Sequence, residues 1–219
     1  MCFVVSDGRT LLILGTRTFA VEVADLASDV ADTRVVGFVE NMDPGLVGTH
    51  LEGVPVHWVD DLAGLSASHL ALCGLSTTHR SRFVEQATVH GVRFTSLVHP
   101  SARVSRTAEI GEGAIVSAGA IVGAHARIGR HAIVNRGALI GHHTVIGDYA
   151  TLGPGVNIGG CCVIGGATWV GIGAIVLDKL TVGRHSLVGA GALVTKEVGD
   201  RVQVMGVPAR VTREGIDGR

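Results

Sequence analysis

Stepping six residues at a time from Val98 meets an aliphatic side chain at every step. The series runs through Val104, Ile110, Val116, Val122, Ile128, Val134, Ile140, Ile146, Leu152, Ile158, Ile164, Val170, Val176, Val182 and Val188 to Val194. Seventeen members without a slip in register exclude chance, and they exclude an ordinary sheet, whose side chains alternate with a period of two. A second row lies four residues after each of the first sixteen anchors, and nearly all of it is small: Ala102, Ala108, Ala114, Ala120, Ala126, Ala132, Ala138, Thr144, Ala150, Val156, Cys162, Thr168, Ala174, Leu180, Ser186 and Ala192. One branched aliphatic and one small residue per hexad is the hexapeptide β-helix pattern. Each hexad gives a short strand and a turn, and three hexads close a triangular coil of 18 residues. Such coils are left-handed, an exception to the usual right-handed parallel crossover. Glycines just after the anchors (Gly111, Gly129, Gly141, Gly147, Gly165, Gly171 and Gly183) read as residues chosen for a turning backbone.

Composition fits narrow stacked coils: of 219 residues, 32 are glycine and only 4% are aromatic. With 47% hydrophobic and 17% charged residues, disorder is excluded. A net charge of −1 gives no electrostatic basis for binding nucleic acid or an anionic membrane. Cys2, Cys73, Cys161 and Cys162 form no C-x-x-C pair and no zinc spacing, so reduced thiols, no metal and a cytoplasmic setting are expected. The apolar run Leu11–Leu14 is too short for a signal-peptide core, and no run approaches membrane-spanning length.

Before Val98 the register disappears. Leu11–Leu14 reads as a buried strand, Phe19–Leu26 as a helix, Arg34–Val39 and His69–Cys73 as further strands, and Ser76 as the N-cap of a helix over Thr77–His90. Alternation of this kind predicts a small parallel, Rossmann-like α/β domain over residues 1–96, with the β-helix over 97–219. A ligand of the first domain is expected at the carboxyl ends of the strands, where the loops Gly15–Ala20 and Glu40–Pro44 emerge.

The α/β segment, the junction His99-Pro100-Ser101-Ala102, the unbroken hexads and the ending Gly189-Ala190-Gly191-Ala192-Leu193-Val194-Thr195-Lys196 … Gly206-Val207-Pro208-Ala209 together resemble the PglD/NeuD-type sugar acetyltransferases. The resemblance covers Leu11 to Arg210 and implies a homotrimer that moves an acetyl group from acetyl-CoA to a sugar, foremost the amine of a nucleotide-linked amino sugar. It implies a base histidine in a stretch H-[DE]-x-x-I-G-[DE], matched here by His142-His143-Thr144-Val145-Ile146-Gly147-Asp148. His142 is the third residue of its hexad, so its ring is expected to face outward. Gly160 lies one coil further on the same face, and its N–H is placed to support the thioester oxygen. By the same matching, Ile172 and Ala190 border the CoA arm and Lys196 is a candidate for its phosphates. Gly15, Thr16, Arg17 and Glu40 are the candidates for the acceptor nucleotide.

Two features depart from the family pattern. The acidic residue after the base is His143, with His125 stacked one coil below it. The first loop, glycine-rich in the family, reads Gly15-Thr16-Arg17-Thr18-Phe19-Ala20, and the pair after the second strand is Glu40-Asn41. Cys161 is expected to be a passive surface thiol. Other readings of the chain are O-acetylation of sialic acid or a related sugar, a non-catalytic β-helix scaffold, and a carbonic-anhydrase-like zinc trimer drawing on His125, His131, His142, His143 and His185.

Overall fold

The computed structural model describes residues 8–219, so Cys2 lies outside the described residues. The chain divides into two compact units, one formed by Met1–Leu75 with Arg82–Thr95 and the other by Ser76–Ser81 with Ser96–Arg219.

In the first unit, β1 (Arg9–Leu14), α1 (Thr18–Ser28), β2 (Thr33–Glu40), β3 (His50–Leu51), β4 (Val54–Trp58), β5 (Leu70–Cys73), α2 (Ser81–Val89) and β6 (Arg93–Phe94) follow in order. The sheet runs β3-β4-β2-β1-β5-β6 and is parallel except for β3. Central strand β1 buries Leu11 to Leu14 without alternation, as a strand covered on both faces must. The hairpin β3–β4 escapes a sequence reading because its turn is Glu52-Gly53, both at positive φ, rather than an Asn-Gly pair. The stretch read as one helix from Thr77 is a 3₁₀ turn, Thr78–Arg80, followed by α2. Its cap is Thr77 rather than Ser76, because the Thr77 hydroxyl accepts the His79 N–H. Among the described residues, no helix is long and apolar enough to cross a membrane.

The second unit is the three-sided left-handed parallel β-helix. Seventeen two-residue strands run from β7 (Leu97–Val98) to β23 (Leu193–Val194), one per hexad. Each pairs in parallel with the strand 18 residues away: Ile115 with Ile133, Ile121 with Leu139, Arg127 with Val145. The first face starts at Leu97–Val98, the second at Arg103–Val104 and the third at Glu109–Ile110. Strands β24 (Val202–Met205) and β25 (Arg210–Glu214) extend the first face, the last of them antiparallel. From Val116 onward the anchors and nearly all of the small row form one buried core.

The glycines after the anchors serve a different purpose from the one their position suggests. The left-handed backbone falls two residues later, at Gly113, Gly119, His125, His131, Gly137, His143, Tyr149, Gly155 and Cys161 and onward. Gly141 is required by proximity instead: a Cβ there would stand 2.5 Å from the Gly159 carbon and the Gly160 nitrogen of the next coil. Coils locked by a hydrogen-bond ladder cannot open at one corner to admit a methyl group.

Where the third face turns into the first, Arg80 is buried. Its guanidinium donates to the carbonyls of His131, Tyr149 and Ala150 and to Thr151 Oγ1 at 2.7–2.9 Å. These bonds tie Ser76–Ser81 to the coils. His131 stacks on Tyr149 with centroids 5.2 Å apart. Burial, then the charges of Arg80 and Arg130, push its pKa from the usual 6.5 to about 4. The folded state therefore resists protonating this ring. We predict that its contribution to stability is complete above pH 6.5 and is lost as pH falls towards 4, with a slope of up to about 1.4 kcal/mol per pH unit. Denaturant melts of His131→Gln across that range should be flatter than those of the parent protein.

Candidate active-site corner

Between the second and third faces, each coil turns through a corner that follows one anchor and precedes the next. His142 and His143 occupy this corner after Ile140, Gly160 and Cys161 occupy it after Ile158, and Asp178 and Lys179 occupy it after Val176. The stacking of coils, not proximity along the chain, brings these residues together. The corner is fastened from within by Thr144, a buried hydroxyl in the small-residue row. Thr144 donates to the Gly159 carbonyl at 2.8 Å and accepts the Cys162 N–H at 3.2 Å. From outside, the Cys161 N–H donates to the His142 carbonyl at 2.8 Å.

His142 is exposed, and its ring lies over Gly160, where an added Cβ would meet Nε2 at 2.8 Å. Its other nitrogen, Nδ1, is 3.1 Å from Nδ1 of His143, and the rings meet edge to face at 85°. Only one proton can lie between two Nδ1 atoms. For His142 to accept a proton at Nε2 it must carry one at Nδ1 and donate it to His143. A neutral imidazole thus orients the ring without supplying the negative charge of an acid. The ring of His143 in turn stacks on His125 with centroids 4.8 Å apart.

Two residues of this corner go beyond the sequence reading. Asp178 Oδ1 accepts the Gly160 N–H at 2.7 Å. That amide is therefore engaged by a carboxylate in this structure, where the sequence reading expected it to be open to a thioester oxygen. Cys161 is exposed as expected, but its Sγ is 4.0 Å from His142 Nδ1. Both residues were discoverable by adding one coil, 18 residues, to Gly160 and to His143.

In the first unit, Gly15 takes φ +108° and donates its N–H to the Val39 carbonyl at 2.8 Å, holding the loop after β1 beside the end of β2. The Thr16 hydroxyl donates to Glu40 Oε2, and Glu40 Oε1 accepts the N–H groups of Asn41, Met42 and Asp43 at 2.9, 2.8 and 3.4 Å. Burial alone would raise the Glu40 pKa, but these hydrogen bonds outweigh it and the carboxyl sits below its usual value. With 6% of its surface exposed, Glu40 braces two loops rather than presenting a carboxylate to a ligand. Arg17, the N-cap residue of α1, is exposed.

The family model of the bacterial transferase hexapeptide (six repeats) matches residues 125–160, which contain the His142 corner. Several solved structures match nearly the whole chain. A histidine mutant of perosamine N-acetyltransferase from Caulobacter crescentus, in complex with CoA and GDP-perosamine, is 28% identical over 94% of this chain and 97% of that one, with a TM-score of 0.86. The acetyltransferase domain of PglB from Neisseria gonorrhoeae, in complex with acetyl coenzyme A, is 28% identical over 94% and 100%, with a TM-score of 0.85. WeeI from Acinetobacter baumannii is 28% identical over 93% and 100%, with a TM-score of 0.82. A search of curated protein sequences finds no match. The structural likeness runs through both units and not the repeat alone. Over nearly its whole length the chain is similar to sugar N-acetyltransferases of the hexapeptide-repeat type.

Within one chain, Ile172 and Ala190 do not join His142. They stack on the corner between the first and second faces, and Ile172 is 61% exposed. Lys196 follows Val194 at the end of the His142 corner and is exposed. The five histidines considered as zinc ligands divide as well: His131 and His185 turn at the third-to-first corner, away from His125, His142 and His143.

Two outcomes follow from this geometry. Gly160→Ala sets a methyl against the mobile end of His142, not against backbone. Thermal stability should hold within about 0.5 kcal/mol, while kcat falls by about 10²-fold as the ring is displaced. Steady-state kinetics and melting curves on one preparation separate the two effects. His143→Asp is compatible with the left-handed backbone at φ +57°. An anion there should hold the Nδ1 proton of His142 by a stronger, charge-assisted hydrogen bond and raise kcat/KM in steady-state assays.

Proposed function

We propose that this chain transfers the acetyl group of acetyl-CoA to the amine of a nucleotide-linked amino sugar. The observation that carries the reading is His142, whose Nδ1 is anchored on His143 while Nε2 stands at an exposed corner over Gly160. In one step the amine nitrogen attacks the thioester carbonyl and loses a proton to His142 Nε2. The C–S bond then breaks, and the imidazolium returns the proton to the departing CoA sulfur. Nothing covalent forms on the protein. Gly160 contributes by leaving room for the ring, because its N–H is held by Asp178.

The loop after β1 suits the diphosphate of the acceptor. α1 begins without a side-chain cap and without an acidic residue in its first turn, and Arg17 is exposed beside its free N–H groups. The relatives named above include one bound to GDP-perosamine and two bound to CoA or acetyl coenzyme A, in agreement with this donor and this class of acceptor.

The working form in this reading is a homotrimer. The second face lies between the His142 corner and the Ile172 corner, and its outward positions include Ile121, Leu139 and Ile175, all exposed, where a solvated strand would carry polar side chains. Covering that face with a neighbouring β-helix sets the Ile172–Ala190 corner of one protomer by the His142 corner of the next and closes a groove for the CoA arm.

Acetyl-CoA consumption with UDP-, GDP- and dTDP-linked amino sugars tests the reaction, and mass spectrometry of the product distinguishes amide from ester. His142→Ala should lower kcat by about 10²–10⁴-fold with assembly unchanged; full activity in that variant would overturn the base assignment. Leu139→Glu should give monomers by sedimentation velocity and abolish turnover together.

A further inference from the structure

The His142 corner gathers more ligating atoms than proton transfer needs. His142, His143 and Cys161 each offer one donor atom, and these atoms all lie within 4.8 Å of one another. Nδ1 to Nδ1 is 3.1 Å, and Cys161 Sγ to His142 Nδ1 is 4.0 Å. Donors around a tetrahedral zinc ion, at about 2.0–2.1 Å for nitrogen and 2.3 Å for sulfur, stand roughly 3.3–3.6 Å apart, so the cluster is within a few tenths of an ångström of closing on those two edges. All three side chains are exposed and able to make that adjustment. The backbone beneath them is fixed: His143 and Cys161 hold the same left-handed position in successive coils, and the ladder between coils sets their spacing.

We propose that His142 Nδ1, His143 Nδ1 and Cys161 Sγ form a binding site for a borderline-soft divalent cation of the zinc class, and that the bound cation switches off the base. Imidazole nitrogen with thiolate is a donor set that prefers such a metal over magnesium or calcium. On binding, the Cys161 thiol releases its proton to solvent, the cation takes the place between the two Nδ1 atoms, and the proton it displaces from His142 Nδ1 moves through solvent to His142 Nε2. A neutral imidazole coordinated through Nδ1 carries its hydrogen on Nε2. His142 then presents a donor, not a lone pair, to the incoming amine, and proton abstraction stops. The fourth coordination position is left to water. The expectation of no metal rested on the spacing of the cysteines and on the acyltransferase-type ending of the chain; here the Cys161 thiol and the two histidines come from successive coils.

The inhibitory consequence rests on the reading of His142 as the base, whereas the metal site does not. Titrating tag-free, metal-free protein with Co²⁺ should therefore give one equivalent per protomer, with tetrahedral visible bands and a near-ultraviolet thiolate-to-cobalt band. Zn²⁺ should displace it. In Cys161→Ser the thiolate band should vanish, and zinc affinity should fall by about tenfold or more, since the loss of even an outer-shell partner costs 10–100-fold. The zinc concentration for half-inhibition of acetyl transfer should rise by the same factor. No thiolate band in the parent protein, a band that survives in Cys161→Ser, or inhibition that is unaltered by that change would each overturn the proposal. A cobalt band without turnover on any amino sugar would leave the metal site standing and remove the transferase reading. Turnover without a band would do the reverse.

Discussion

The 18-residue ladder between coils is the constraint on which the rest of this molecule depends. Each two-residue strand is too short to persist alone, and it exists because parallel partners one coil above and below hold it. That ladder forces the aliphatic anchors to stack, fixes the corners at three per coil and gives every exposed corner residue a neighbour 18 positions away. His142 over Gly160 and Gly160 N–H on Asp178 are two successive applications of the same translation.

Rigid spacing of this kind makes chemistry out of small side-chain choices. Along one corner the ladder offers a His-His pair, then Gly-Cys, then Asp-Lys. A residue larger than glycine at 160 would occupy the volume of the His142 ring, and a residue other than a hydrogen-bond acceptor at 143 would leave the His142 tautomer unset. Thr144 holds these positions from the buried side, so the geometry of the corner rests on the coil and not on mobile surface contacts. The first unit works by a comparable economy of loops. There Glu40, buried at the end of β2, engages Thr16 and three backbone N–H groups, which shapes the mouth of the sheet and leaves Arg17 exposed at the start of α1.

Much was legible in the chain because period six admits one architecture, and because inward and outward positions follow from the hexad. The place of His142, its exposure and its neighbour Gly160 are all counting results. What counting could not reach were hydrogen-bond commitments. Counting sets Asp178 beside Gly160 and Cys161 beside His143, but it could not tell that Asp178 accepts the Gly160 N–H, that Glu40 faces inward, or that the thiol stands 4.0 Å from His142 Nδ1. It also mistook why glycine follows the anchors, because a close approach between coils and a left-handed φ both select glycine and only coordinates separate them.

By itself, then, the order of amino acids determined the stacked prism, the α/β unit before it and the corner that carries the imidazole. These depend on periodicity and on apolar burial, and both are properties of side-chain type along a line. The tertiary structure alone decided which donors and acceptors are already engaged and which side chain lies over which backbone atom. Directional bonds depend on where two atoms point after the coils have closed, and a one-dimensional pattern holds no record of direction.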